Sequence, residues 1–503
     1  MRGLNDIYQL GDPSRIVRIL SAIALLAILY PFALAVYNLY LHPLRKVPGP
    51  KLAAATKLPK IWHLARGGTL HWITQVHHEY GPIVRVGPNE LSFIDAQGWK
   101  DIYGFQPAGK AGNAKDPKFY DFASVDETNL VNANDQDHAR TRRIFSNAFS
   151  DKALKEQEPL LMKYVDLMVQ KLHEKVEAEP DEKVNMVEIL NFTTFDIMGD
   201  LTFGEPLYML QNSKYTPWVT TIFNSLKATT MLQAISFLPV VSSLVNLLLG
   251  RFIIHARNVH FRYSTDRVDR RLVTQTDRPD IWTLVLRQVG EKALSLGEMH
   301  ANADLFMIAG TETTATLLSG LLYYLLMNPE KMKKLKDEIR SAFQSQQDIR
   351  MGGLVRLKYL HACIEEGLRM YPPAPTGLPR LTPPGGTAIC GEWVPGNTTV
   401  YVTPFTAFRS ATNFRNPGDF IPERWISSDY DSDNKSVLQP FSVGPRNCIG
   451  KNLAYHEIRL LLATTLYHFD MTLCDESMNW CDQKVFALWE KPPLMVNLAL
   501  AGR

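Results

Sequence analysis

Apolar positions change their spacing from one region of the chain to the next, and each change predicts a different element. Residues 16–41, IVRILSAIALLAILYPFALAVYNLYL, hold one charge, Arg18, and present no polar face. A run of roughly 20 apolar residues matches the thickness of a bilayer core. A cleaved secretion signal would be shorter and would end in small residues, so the segment is expected to be a transmembrane anchor. Tyr30, Tyr37 and Tyr40 suit interfacial positions, and Pro31 is tolerated in a membrane helix. Arg45 and Lys46 favour a cytosolic C-terminal side, against a weaker pull from Arg2, Arg15 and Arg18.

Past the anchor, residues 42–50 (HPLRKVPGP) cannot continue a helix, because proline fixes φ and lacks the N–H donor. They read as a stiff hinge. Residues 81–94 alternate between Gly-Pro brackets and predict a strand pair. From about 137 to 370 the period is helical; from 372 to 425 proline and glycine return with short strands such as TTVYV. A last helix is expected after Cys448. The divisions are therefore a flank at 1–15, the anchor at 16–41, the hinge at 42–50 and one domain at 51–503. The fold class is mainly α with small β-sheets (α+β), a single large helical domain behind the transmembrane helix.

Two further apolar stretches need a decision. Residues 231–254, broken by Pro239, read as two buried helices, with a membrane-dipping surface as the alternative. Residues 295–329 open with Ser295 and Glu298 at capping-box spacing and stop at Asn328-Pro329. Hydropathy alone would make this a second span, but Glu312 would sit in its middle at a cost of about 2.5–3.5 kcal/mol. A core helix with a polar centre facing a cavity is the better reading.

Composition adds limits. The 503 residues are 46% hydrophobic, with a net charge of +3 that argues for no nucleic-acid partner. Cys363, Cys390, Cys448, Cys474 and Cys481 form no CxxC pair, so a disulfide framework or structural zinc is not expected.

Three segments carry chemistry. In AGTETT (residues 309–314) a mid-helix glycine permits close approach of a ligand, and Glu312 with Thr313 can orient water and relay protons. Equally, threonines here can bond back to i−4 carbonyls. Glu366 and Arg369 share a helix face, and Arg424 in FIPERWI can join them, since a guanidinium binds carboxylate at two points. Buried together, the three would lock a loop onto a helix. In FSVGPRNCIG (residues 441–450), Gly444 and Gly450 permit positive φ, and Cys448 precedes a helix beside Arg446. A helix N-terminus and a cation lower a thiol's pKa, which suits a thiolate as nucleophile or as ligand. His456 is poorly spaced to serve as the base of a nucleophile, and zinc would need more ligands nearby.

These segments together resemble the cytochrome P-450 superfamily, haem-thiolate monooxygenases of the membrane-bound eukaryotic type. F-x-x-G-x-R-x-C-x-G is matched at Phe441, Gly444, Arg446, Cys448 and Gly450, E-x-x-R at Glu366 and Arg369, P-E-R-[FW] at residues 422–425, and A-G-x-[DE]-T at Ala309, Gly310, Glu312 and Thr313. Their order covers the chain from the central helix to the end. The resemblance implies haem b with Cys448 as its axial thiolate and metal ligand, whose electron donation favours O–O cleavage. It implies propionate anchors at Arg446, Arg380, His138 and Arg142, with Phe441 beside the thiolate, and Glu312 and Thr313 as the catalytic proton-delivery pair. It also implies electrons from a separate NADPH-dependent reductase, with cytochrome b5 as a further candidate donor. No Gly-rich nucleotide fingerprint follows a strand here.

Arg140, Arg143, Lys451 and Arg459 are candidates for the reductase face. By the same analogy residues 119–122, 301–305, 376–378 and 486–488 face a lipophilic substrate. The motif style resembles filamentous-fungal enzymes of secondary metabolism, anchored once in the endoplasmic reticulum with the domain in the cytosol. A haem-thiolate isomerase or dehydratase needing no reductase is the first alternative, and Glu312-Thr313 argues against it. A cysteine-nucleophile hydrolase is the second.

Overall fold

The structure, a computed structural model, describes residues 13–107, 109, 111–120, 127–274, 276, 278–286 and 293–502. Most of the 1–15 flank lies outside the described residues. Helix α1 (Pro13–Tyr40) contains the whole expected anchor bar its last residue, and no part of its apolar window is buried. Its length and composition suffice to cross a membrane. The last turn of α1 is docked: Asn38 Nδ2 donates to the Ala55 carbonyl (3.0 Å), and the Asn38 carbonyl accepts from Arg85 Nη1 (2.9 Å). The hinge is fixed to the same strand, because Pro48 accepts from the Arg85 N–H (2.8 Å). Gly49 (φ +157°) is required there, since a Cβ would lie 2.3 Å from the Arg85 carbonyl oxygen.

The expected strand pair is β1 (Ile83–Gly87) against β2 (Glu90–Phe93), antiparallel, with Ile83 opposite Phe93. Three more strands complete the sheet: β3 (Ala114–Lys115), β4 (Arg380–Leu381) and β5 (Thr399–Val402). Their order is β1-β2-β5-β4-β3, with β2 and β5 parallel. Alternation puts Leu91, Phe93, Val400 and Val402 into one apolar cluster with Trp99 and Phe408.

The helical part forms the larger core. The helices that place the site are α2 (Asp135–Ser146), α3 (Met186–Phe203), α4 (Pro217–Ser236), α5 (Pro239–Val273), α6 (Leu296–Leu326), α7 (Lys358–Met370) and α8 (Lys451–His468). Helix α6 begins with the expected capping box. The Ser295 hydroxyl accepts from the Glu298 N–H (3.0 Å), and Glu298 Oε2 accepts from the Ser295 N–H (2.8 Å). Leu317, Leu318, Leu321 and Leu325 of α6 are buried with Phe195 of α3, Leu360 of α7 and Leu461 of α8. The core reading of this helix therefore holds.

The bland reading of residues 231–254 does not. Pro239 starts α5, and beyond it Val240 is 83% exposed, Leu247 81% and Phe252 71%. Apolar composition predicted burial, but no element packs over this face among the described residues.

Candidate functional site

A cavity of about 380 Å³ separates α6 from the cysteine loop. Ala309, Gly310 and Thr313 form its α6 side; Ala309 is exposed in the middle of an otherwise buried helix, because its open surface faces the cavity. Cys448 and Phe441, from the cysteine loop, line the same cavity. The Cys448 N–H donates to the Phe441 carbonyl (2.9 Å), closing the loop. Gly444 (φ +78°) is forced, since a Cβ would lie 2.0 Å from the Tyr103 carbonyl oxygen. Gly450, by contrast, caps α8 with φ −85° and needs no positive φ. Gly310 also has a packing reason: its Cβ would fall 2.8 Å from Met198 Cε of α3.

Cys448 is exposed, yet its open surface is the cavity rather than the outer solvent. The expected lowering of its thiol pKa is not found. Burial pushes the thiol up, against smaller pulls from the Gly450 N–H, Arg142 and Lys451. Arg446 does not neutralise it, because its Nη2 donates to Asp135 Oδ1 (2.7 Å). His456 is not among the cavity residues, so a nucleophilic Cys448 lacks its base there.

One side of the cavity is strongly cationic. Arg142 and His138 come from one face of α2, Arg380 from β4, Arg446 from the loop and Lys115 from β3. Arg142 donates to the Asn447 carbonyl (2.6 Å) and Oδ1 (2.5 Å), bracing the cysteine loop. His138 is held neutral, its pKa pushed down to about 4 by burial and then by Arg446, Lys115 and Arg142. Arg380 Nε and Arg446 Nη1 are buried with no hydrogen-bond partner among the described residues. The acid paired with this group, Asp135, has a side chain 93% exposed. Glu457, also on the cavity wall, does not balance the charge, since burial pushes it up to about 8. Buried donors and excess positive charge demand an anion. An anionic group that carries carboxylates and a metal that a thiolate could ligate would fit this donor set.

The acid–alcohol pair is split by the fold. Thr313 lines the cavity, with its hydroxyl donating to the Ala309 carbonyl (2.7 Å). Glu312 does not line it. Its carboxylate accepts from Lys491, which also donates to Thr316 Oγ1 (2.6 Å), and both side chains are buried. Glu312 lies about 100° round the helix from Thr313, on the side where Lys491 takes its carboxylate. Replacing Lys491 by methionine strands a buried carboxylate and is expected to cost about 3 kcal/mol. Urea unfolding should show that loss, and Glu312→Gln in the same chain should restore most of it.

The ionic clamp assembles as expected, with one more member. Glu366, Arg369 and Arg424 have fully buried side chains. Asp433, not anticipated, takes the far side of Arg424, and Trp425 Nε1 donates to Glu366 Oε2 (3.0 Å).

Other expected positions divide. Tyr120, Leu305 and Leu378 line the cavity, whereas residues 486–488 do not; Phe486 packs at Gly67 instead. Residues 121 and 122 lie outside the described residues. Of the reductase-face candidates Arg143 and Lys451 are exposed, while Arg140 is bonded to Glu298 and Arg459 is half-buried over Tyr455. Lys115, Glu457 and Lys491 had no motif to reveal them.

A family model described as Cytochrome P450 matches residues 52–498. The chain is 51% identical over 479 residues to Cytochrome P450 monooxygenase efuB of Hormonema carpetanum, covering 94% of this chain and 95% of that one. It is 46% identical over 472 residues to Cytochrome P450 monooxygenase FUM2 of Gibberella moniliformis (93% and 100% covered). It is 43% identical over 467 residues to Cytochrome P450 monooxygenase astJ of Aspergillus oryzae (92% and 93% covered).

Proposed function

The chain belongs to the cytochrome P450 family and is a haem-dependent monooxygenase; from that premise we propose that it oxidises a lipophilic small molecule in fungal secondary metabolism. The observation that carries the site assignment is the pairing of Cys448 with an anion-seeking wall across one cavity. Bound there, haem supplies the activation of dioxygen; the protein supplies orientation, proton delivery and water exclusion. Cys448 would be its thiolate ligand. Arg446, Arg380, His138 and Arg142 would hold its carboxylates, and Phe441 would shield the sulfur. Glu366, Arg369 and Arg424 keep the loop region in register with α7.

Thr313 is the hydroxyl placed to hold water in the cavity and pass a proton inward. Its back-bond to Ala309 uses its own hydrogen, leaving its lone pairs to accept from water. Glu312 serves as proton source only when it leaves Lys491. Thr313→Val is expected to lower product formed per NADPH roughly tenfold while peroxide release rises. Stoichiometry with a purified reductase checks this; unchanged coupling would remove Thr313 from the proton path.

Helix α1 anchors the enzyme once in the endoplasmic reticulum membrane, with the domain in the cytosol, where a membrane-bound NADPH-dependent reductase, with cytochrome b5 as a second donor, delivers electrons. Exposed Arg143 and Lys451 belong to the docking face. The apolar face of α5 dips into the same bilayer and admits lipophilic substrate.

A further inference from the structure

Behind the cavity wall runs a continuous series of oxidisable rings. Trp489 Nε1 donates to the Pro372 carbonyl (2.8 Å), and the next residue, Pro373, lines the cavity. From Trp489 the ring centres step to Tyr371 (4.5 Å, stacked), Trp480 (5.4 Å), Tyr323 (5.6 Å) and Tyr324 (5.5 Å). Tyr371 directly follows α7, and Tyr323 and Tyr324 belong to α6. Tyr371 also lies against α6, since a Cβ on Gly320 would fall 2.2 Å from its Cδ1. Leu317, one turn before Gly320, lines the cavity.

Packing alone would be served as well by phenylalanine, whose ring offers the same contacts without a polar atom to satisfy. Phenylalanine touches this series only from the side, Phe405 at Trp489 and Phe420 at Tyr324. Tryptophan and tyrosine lose an electron far more readily than phenylalanine does. The polar atoms of the remaining rings are also held. Tyr371 donates to Gln483 Oε1 (2.6 Å), Trp480 to the Pro492 carbonyl (2.8 Å) and Tyr323 to the Met478 carbonyl (2.8 Å), and the Tyr324 oxygen accepts from Arg409 Nη1 (3.3 Å). The first four rings are buried and Tyr324 is half-buried. The series therefore runs from the back of the cavity wall to a position that solvent reaches.

We propose that these five rings carry electrons inward to the bound haem when activated oxygen finds no substrate, sparing the porphyrin and the cavity wall from oxidation. The inference rests on the haem reading above. For each oxygen atom left undelivered, two electrons pass inward one at a time, two protons enter from solvent, and the oxygen leaves as water. At the outer end Tyr324 loses one electron and releases its phenolic proton to solvent. A small thiol then returns a hydrogen atom to the tyrosyl radical. Two such thiols pair as a disulfide, so one oxygen atom and two thiols become one water and one disulfide.

The test treats purified, substrate-free ferric holoenzyme with a peracid in the presence of a nitroso spin trap, and locates the trapped radical by peptide mass. The parent should carry the adduct on Tyr324. Trp480→Phe keeps an aromatic ring but breaks the series, and should lose that adduct and bleach its haem with fewer equivalents of peracid. Trp480→Tyr restores an oxidisable ring and should regain the adduct. A haem-loaded parent without the adduct, or the same yield in Trp480→Phe as in the parent, overturns the proposal. Loss of the adduct in Trp480→Tyr as well as in Trp480→Phe makes Trp480 a packing residue and overturns it too. A parent chain that holds no haem would instead sink the haem reading itself.

Discussion

Cys448→Ser is expected to abolish turnover while leaving the fold intact. An axial alkoxide is not available near neutral pH, so serine cannot supply the electron donation a thiolate gives. The loop's shape does not depend on sulfur. It is set by the Cys448 N–H on the Phe441 carbonyl, by Arg142 on Asn447, and by Gly444 against Tyr103. The variant should melt within a few degrees of the parent and show no product above background with a reductase and lipophilic probe substrates. Retained turnover would remove Cys448 from the chemistry. A collapsed melting temperature would mean the sulfur holds the fold as well.

Glu366→Gln is expected to be the most damaging substitution for stability. Every acceptor position of this carboxylate is filled. Oε1 accepts from Arg369 Nη2 (2.8 Å), Arg424 Nε (3.1 Å) and the Ile421 N–H (2.7 Å), and Oε2 from Arg369 Nε (2.8 Å) and Trp425 Nε1 (3.0 Å). Removing the charge leaves two buried guanidiniums, with Asp433 opposing only one of them. The cost should be about 5 kcal/mol, a large share of the 5–15 kcal/mol typical of a folded domain. Urea unfolding measures it. A loss below about 1 kcal/mol would put the clamp in the class of surface pairs.

What the sequence made legible was local or ordered. The capping box at Ser295, the i, i+3 pair of Glu366 and Arg369, and the strand pair after the hinge each lie within a few residues and follow from helix and strand periods. The order of four motifs carried the family and with it the cavity that joins α2, β4, α6 and the cysteine loop. What stayed hidden depends on distant pairing. Lys491 meets Glu312 across 179 positions, and Lys115 meets Arg380 only through sheet register. No spacing rule marks either. Apolar composition also misjudged α5, because hydropathy measures the tendency to leave water and not what covers a surface. The thiol pKa went the other way for a related reason: the helix end and cations were visible in the sequence, and the depth of burial was not.

Everything above turns on Cys448 binding haem as a thiolate in this cavity. The most direct test is the difference spectrum of the reduced, carbon-monoxide-bound chain in its membrane fraction. The parent should show a Soret band shifted to long wavelength, and Cys448→Ser should lose it. A parent that carries haem but shows no such shift, or one that folds and carries no haem, would contradict it.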